Sequence, residues 1–544
     1  MTKIRFKKNL HLFISLFVFA CVFNLVSCSL SEDSGIITVN QHIAPILIEK
    51  DFNKVAELII SLDKADKLKA VTIKFANPNI EEILEEAELF IHADKELISI
   101  GKTSKNGQSV RIEGEQPIDT SSLILTLSLK ANAQANIDAT IHIETISVEF
   151  EYMKTQRINL SDSKAIRLGR IVRQQGQDSC DTYRIPGLVR TNRRTLIAVY
   201  DARYNNSKDL QEDIDIGMSR STDGGQTWES MKIIMDMGEW GQKAQRLNGV
   251  GDPSILYDKQ TNTLWVAALW MSGATEKEML WWASKPGLKP DITGQFLIVK
   301  STDDGQTWSK PINITEQIKD PNWQLLLAGP GCGISMKDGT LVFPAQFKVY
   351  IGEKSLDGGQ YTCHSTIVYS KDHGETWHIG SGAKSNTTEA QVVELPNGSL
   401  MLNMRDDRNR KDKGNDNGRA VAITKDMGKT WTVHPSSNHA LPESNCMASL
   451  ISADIKIGEE VQSVLFFSNP NNKEQRTNMT IKASIDEGQT WLEAYQLELN
   501  EDSGFGYSCM TQIDEEIIGI LYEGVKELYF QRIPIADVLR TSKQ

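Results

Sequence analysis

The chain has 544 residues, 40% hydrophobic and 24% charged, with 38 Gly and 16 Pro, which excludes a disordered, collagen-like or coiled-coil protein. A formal charge of -12 leaves no electrostatic footprint for a phosphate backbone, so nucleic acid is a poor partner. The positive charge needed to hold an anionic substrate must therefore be local.

At the start, Lys3, Arg5, Lys7 and Lys8 precede the apolar run HLFISLFVFACVFNLV, which is too short for a comfortable membrane span and reads as a secretory signal. The run ends in Leu25-Val26-Ser27-Cys28, a tetrad that resembles the lipobox of bacterial lipoproteins, in which the Cys is acylated. Residues 1–28 are thus predicted to be a lipoprotein-type signal with Cys28 as the lipidation site. The protein is expected to be exported and membrane-anchored, in the periplasm or at the cell surface, and the competing reading is a cleaved signal with a chance Cys. Beyond Cys21 and Cys28 the cysteines are Cys180, Cys332, Cys363, Cys446 and Cys509, without CxxC or His-paired spacing. No metal, no cofactor and no disulfide framework is expected from them.

Residues 29–157 carry short alternating runs, among them SVRIEG at 109–114 and ATIHIETISVEFEY at 139–152. Alternation of period two places one face of each strand in a core, hence a β-sandwich module. All 11 Trp lie at or beyond Trp228 and the first Tyr is Tyr152, so this module has almost none of the aromatic faces on which sugars usually stack. It reads as a packing or spacer module rather than a lectin.

Residues 158–544 contain five copies of one octapeptide, beginning at Ser221, Ser301, Ser370, Thr424 and Ser484, with the pattern S/T-x-D-x-G-x-T-W. Each follows a strand-like run and precedes another, as a turn does: Ser or Thr and Asp bond backbone amides, Gly accepts positive φ, and Trp closes the loop. The mean period of about 66 residues suits a four-stranded blade, and about 375 residues then make roughly six blades.

These octapeptides resemble the Asp-boxes of the sialidase (neuraminidase) superfamily. The resemblance implies an all-β chain: a six-bladed β-propeller preceded by the smaller sandwich. It also implies a site on the propeller face away from the boxes. Tyr183-Arg184-Ile185-Pro186 resembles the motif that opens bacterial sialidase domains. With Arg405 in Leu-Asn-Met-Arg and Arg476, which follows Asn469-Pro470, Arg184 matches the family's arginine triad, whose planar, permanently charged groups suit the carboxylate of sialic acid. Tyr507 in Gly-Phe-Gly-Tyr-Ser-Cys matches the family's nucleophile. A neutral phenol attacks beside the substrate carboxylate without like-charge repulsion, and sialidases are exceptions to two-carboxylate glycoside hydrolysis. Glu389 in Thr-Glu-Ala-Gln-Val-Val-Glu-Leu matches the base that takes the phenol proton, with Glu394 as a competitor. Asp209 is the expected acid/base, with Asp213 and Asp215 as rivals and a loop that departs from the family's commoner small-residue pattern. Glu523 matches the glutamate that steadies the first Arg, and Arg203 and Asp252 fit positions that contact sugar hydroxyls. The implied activity is exo-α-sialidase with retention on sialylated glycans. The alternatives are a trans-sialidase or a catalytically silent Asp-box propeller acting as a glycan receptor.

Overall fold

The computed structural model describes residues 26–30, 35–93, 96–104, 107–119, 122–273, 275 and 277–540. Residues 1–25 of the predicted signal lie outside the described residues, as does the Cys28 side chain.

In the N-terminal module two antiparallel sheets face each other. One is six-stranded, built around Lys54–Leu62, Ser122–Ala131 and Leu84–Ala93. The other runs Gln156–Asn159, Ile143–Phe150, Asp66–Phe75 and Ser109–Ile118. The alternation seen in the sequence becomes the inward face of each strand: Leu58, Ile60, Leu125 and Leu127 meet Val71, Ile73, Val110 and Ile112 in one core.

Six further sheets make the propeller. Five open on Thr182–Arg190, Val250–Asp258, Leu325–Ala328, Thr387–Glu394 and Ser449–Ile457, and all but the second and third are continuous in the chain: Gly331–Cys332, which follows Leu325–Ala328, pairs in parallel with Val250–Asp258 of the preceding sheet. The sixth joins the ends of the domain: Ser508–Gln512, Ile517–Glu523 and Leu528–Pro534 are completed by Ile166–Arg173, which pairs with Leu528–Pro534. Two short strands of the N-terminal module, Ile46–Leu47 and Thr140–Ile141, also pair with Ile166–Arg173. The module is therefore stitched into the closing blade. A change of composition near residue 157 carries no sign of this, because strand pairing is a long-range choice.

All five octapeptides start on the last residue of the third strand of a blade: Ser221, Ser301, Ser370, Thr424 and Ser484. In the third box Gly374 N donates to Ser370 Oγ at 2.8 Å, and Thr376 donates to Asp372 through N (2.9 Å) and Oγ1 (2.6 Å). These bonds, several of them charge-assisted, hold Asp303, Asp372 and Asp426 down at a pKa of about 2. The fifth position is glycine because the chain there is left-handed, with φ +90° at Gly374, and a Cβ would lie 2.3 Å from the buried Trp265 ring. Gly374→Ala is expected to destabilise the protein by about 2–4 kcal/mol through backbone strain and overpacking, read as a lower urea midpoint at unchanged m-value.

Since the boxes sit where third strands end, antiparallel pairing puts the starts of first strands and the ends of second strands on the opposite face. The expected catalytic and substrate-binding residues lie at that face, whereas the competitor Glu394, the last residue of a first strand, stands at the face of the boxes.

Candidate active site

Three inner strands break their pairing at the positions where site residues stand. Register shifts fall between Arg184 and Gly187, between Gly251 and Ser254, and between Thr387 and Ala390, re-aiming Arg184, Asp252 and Glu389. At two of them a proline follows, Pro186 and Pro253, which has no amide for the ladder. The preceding residues are strained, with φ of 58° at Ile185 and 56° at Asp252.

Tyr507 stands at the centre. Its hydroxyl donates to Glu389 Oε1 in a very short bond and accepts from Arg405 Nη1 at 3.2 Å. Arg184 and Arg476 lie over its ring, 5.0 and 5.6 Å from the centroid, so three guanidinium groups from three parts of the chain surround one phenol. Burial and the charge of Glu389 push the phenol well above its ordinary range, against the pull of the arginines. For Glu389, burial works upward, but Arg405, at 2.6 Å from Oε2, and the Tyr507 hydroxyl hold it below the usual carboxylate range. The resting pair is thus a neutral phenol hydrogen-bonded to a carboxylate.

Glu523, at the end of a second strand, ties these pieces together. Its Oε1 accepts from Arg184 Nε at 3.1 Å and from Ile185 N at 2.9 Å, and its Oε2 accepts from Tyr507 N at 2.9 Å. One carboxylate therefore sets both the first arginine and the backbone of the tyrosine. Besides lying over the Tyr507 ring, Arg476 donates to the backbone carbonyls of Phe505 (2.8 Å) and Asn445 (3.2 Å).

On the other flank Asp209 is half-exposed, with Oδ1 2.8 Å from Arg203 Nη1 and 3.5 Å from Arg184 Nη1. Burial raises its pKa, but Arg203 and Arg184 outweigh this and keep the carboxyl below its ordinary value. Arg203 is buried and also grips Asp201 Oδ2 at 2.7 Å. Asp252 is positioned by its backbone N–H, which donates a hydrogen bond to Asp201 Oδ1 (2.9 Å), and burial, Asp201 and Asp209 raise its carboxyl well above the usual range. The rivals face elsewhere. Asp215 accepts from Tyr204 at 3.0 Å and is pushed up to about 7 by burial and Asp236, while burial raises Asp213. Of the three, Asp209 is the one in ion-pair contact with arginine. Glu394 lies five residues along the strand from Glu389, about 16 Å away, and accepts the Lys337 amide.

Sequence reasoning did not single out Asn445, whose Oδ1 accepts both Arg405 Nη2 (2.8 Å) and Nε (3.2 Å), or Asp201, the buried partner of Arg203. Each is a polar residue in an unremarkable local sequence: Asn445 meets Arg405 from 40 residues away, and Asp201, two residues before Arg203, also accepts the Asp252 amide from 51 residues away.

Residues 194–521 match the family model described as a BNR repeat-like domain. A sialidase of Bacteroides fragilis (strain YCH46) is 41% identical over 98% of this chain and all of its own length. Among solved structures, a Hadza microbial sialidase superimposes with a TM-score of 0.82 at 38% identity, covering 92% of this chain and 99% of that one. The intramolecular trans-sialidase of Ruminococcus gnavus shares the fold at a TM-score of 0.53 and 19% identity, over 67% of this chain and 97% of that one. With a near full-length relative of that identity and a matching six-bladed architecture, the chain belongs to the bacterial sialidases, glycoside hydrolases that act on sialic acid.

Proposed function

We propose that the protein is an exo-α-sialidase that releases terminal sialic acid with retention, through Tyr507 as nucleophile, Glu389 as its base and Asp209 as acid/base. The observation that carries this reading is the enclosure of one Tyr–Glu pair by three guanidinium groups. The substrate carboxylate docks on Arg184, Arg405 and Arg476, whose planar forks bind such groups by paired charge-assisted bonds. Docking brings the anomeric carbon over the Tyr507 oxygen. That oxygen attacks and its proton passes to Glu389, while the bond to the departing sugar oxygen breaks and that oxygen takes a proton from Asp209. Water then attacks the glycosyl-tyrosine on the face the leaving group vacated, giving its proton to Asp209. Tyr507 departs and recovers its proton from Glu389. Two inversions restore the starting configuration.

Electrostatics supports the division of labour. Glu389 is held ionised and can accept a proton. Asp209 is ionised in the free site because it pairs with Arg203 and Arg184. A substrate carboxylate on Arg184 takes up one of those partners and adds a negative charge nearby, so binding raises the acidic group into its working range. Asp252, driven towards its neutral form, is suited to donate a hydrogen bond to a sugar hydroxyl next to Arg203.

The direct test is incubation with sialyllactose and proton NMR of the first product: α-sialic acid supports the mechanism, and β-sialic acid as first product overturns it. Arg405→Ala is expected to weaken a carboxylate-bearing inhibitor by roughly 2–4 kcal/mol, because it removes one arm of the pocket and leaves Glu389 without the cation paired with it. An unchanged inhibition constant would take Arg405 out of substrate binding.

A further inference from the structure

The seam between the N-terminal module and the propeller leads into the segment that carries Tyr507. His42, directly after the strand Gly35–Gln41, has Nδ1 2.5 Å from Glu501 Oε1 and Nε2 3.2 Å from Asp502 Oδ1. The next residue, Ile43, accepts the Glu501 amide at 2.7 Å. Lys50 of the same module reaches Glu527 Oε2 at 2.7 Å and the Tyr529 hydroxyl at 3.2 Å, on the hairpin that follows Glu523. From Asp502 the chain runs to the site. Gly504 N donates to the Arg476 carbonyl (3.2 Å), Phe505 N to the Gly524 carbonyl (3.1 Å), and the Phe505 ring lies 4.7 Å under Arg184.

Packing alone does not hold this segment. A cavity of about 390 Å³ lies alongside it, lined by Lys50, Arg476, Asp502, Gly506, Glu523 and Tyr529. Where side chains do not fill the space, hydrogen bonds and ion pairs supply the restraint: between the strand Gln496–Asn500 and Gly504 the chain is held by one local bond, Asp502 N to Asn500 Oδ1 (2.9 Å), and by the module's contacts with Glu501 and Asp502. The contact is also matched in charge, with His42 and Lys50 of the module against Glu501, Asp502 and Glu527 of the propeller.

We propose that His42, clamped between Glu501 and Asp502, is a positioning residue that makes the N-terminal module a working part of the active site. It holds 501–506 so that Tyr507 meets Glu389. The inference rests on the reading of Tyr507 as nucleophile. Burial lowers the His42 pKa, but its bonds to Asp502 and Glu501 prevail and push it up to about 9. Lys50 and Lys54 act on Asp502 across the seam. On the neighbouring wall Lys164 faces Glu498 and Arg167 pairs with Asp537. A pKa raised by folding means the clamp is complete at neutral pH and is released as the pH rises through about 9.

The test uses the full chain with His42→Gln, His42→Lys, Asp502→Asn and, in parallel, Tyr507→Phe. H42Q and D502N are expected to lower kcat roughly ten- to a hundredfold, the scale for a reacting group displaced by a fraction of an ångström, with KM and inhibitor affinity within about twofold. H42K keeps the cation, so it is expected to retain kcat and to hold it above pH 9, where the wild type falls. Wild-type kcat in H42Q and D502N would overturn the proposal, and so would an H42K as impaired as H42Q. Substantial turnover by Y507F would defeat the nucleophile reading and is scored separately from the His42 series.

Discussion

Tyr507→Phe is expected to lower turnover of sialyllactose by roughly four to six powers of ten, the scale seen when an enzyme loses its nucleophile. The substitution removes only the hydroxyl, and with it the bond to Glu389 and the acceptor for Arg405. The ring stays, and so does its packing against Arg184 and Arg476. Binding of an unsaturated, carboxylate-bearing analogue should consequently change by no more than a few fold, and calorimetry of that ligand against the variant separates lost chemistry from a lost pocket. Near wild-type kcat would remove Tyr507 from the reaction.

Asp209→Ala is expected to cost on the order of 10² to 10⁴ in rate on sialyllactose and much less on an aryl sialoside in the step that forms the covalent intermediate. A sugar oxygen must be protonated as its bond breaks, whereas a nitrophenolate leaves unaided. Arg203 and Arg184 both lose a partner in this variant, so KM shifts for both substrates, and single-turnover rates at saturation isolate the proton transfer. Asp213→Ala and Asp215→Ala should slow the two substrates equally, since these residues pack against Tyr204 and Asp236 and not against the arginines. If Asp209→Ala slows the glycosylation step equally for both leaving groups, the acid lies elsewhere in the loop.

The sequence alone determined the architecture, because its signals are local. A turn that needs two left-handed residues, a bonded Asp and a closing Trp writes the pattern S/T-x-D-x-G-x-T-W five times, and period-two alternation marks the sandwich strands wherever one face is buried. Much of the candidate site was legible through its resemblance to the family's motifs, and two of those residues, Arg184 and Asp252, stand where the inner strands break, close to Pro186 and Pro253. The tertiary structure alone decided which groups meet. Glu523 binds Arg184 across 339 residues, and Asn445 holds Arg405 across 40. The loop sequence already favours Asp209 over Asp213 and Asp215, but its contacts with Arg184 and Arg203 exist only in the fold, and His42 meets Glu501 only because the module is stitched into the closing blade. Hydrogen bonds and ion pairs act over a few ångströms in space and leave no spacing in the chain, so partners distant in sequence become visible only once the propeller has closed.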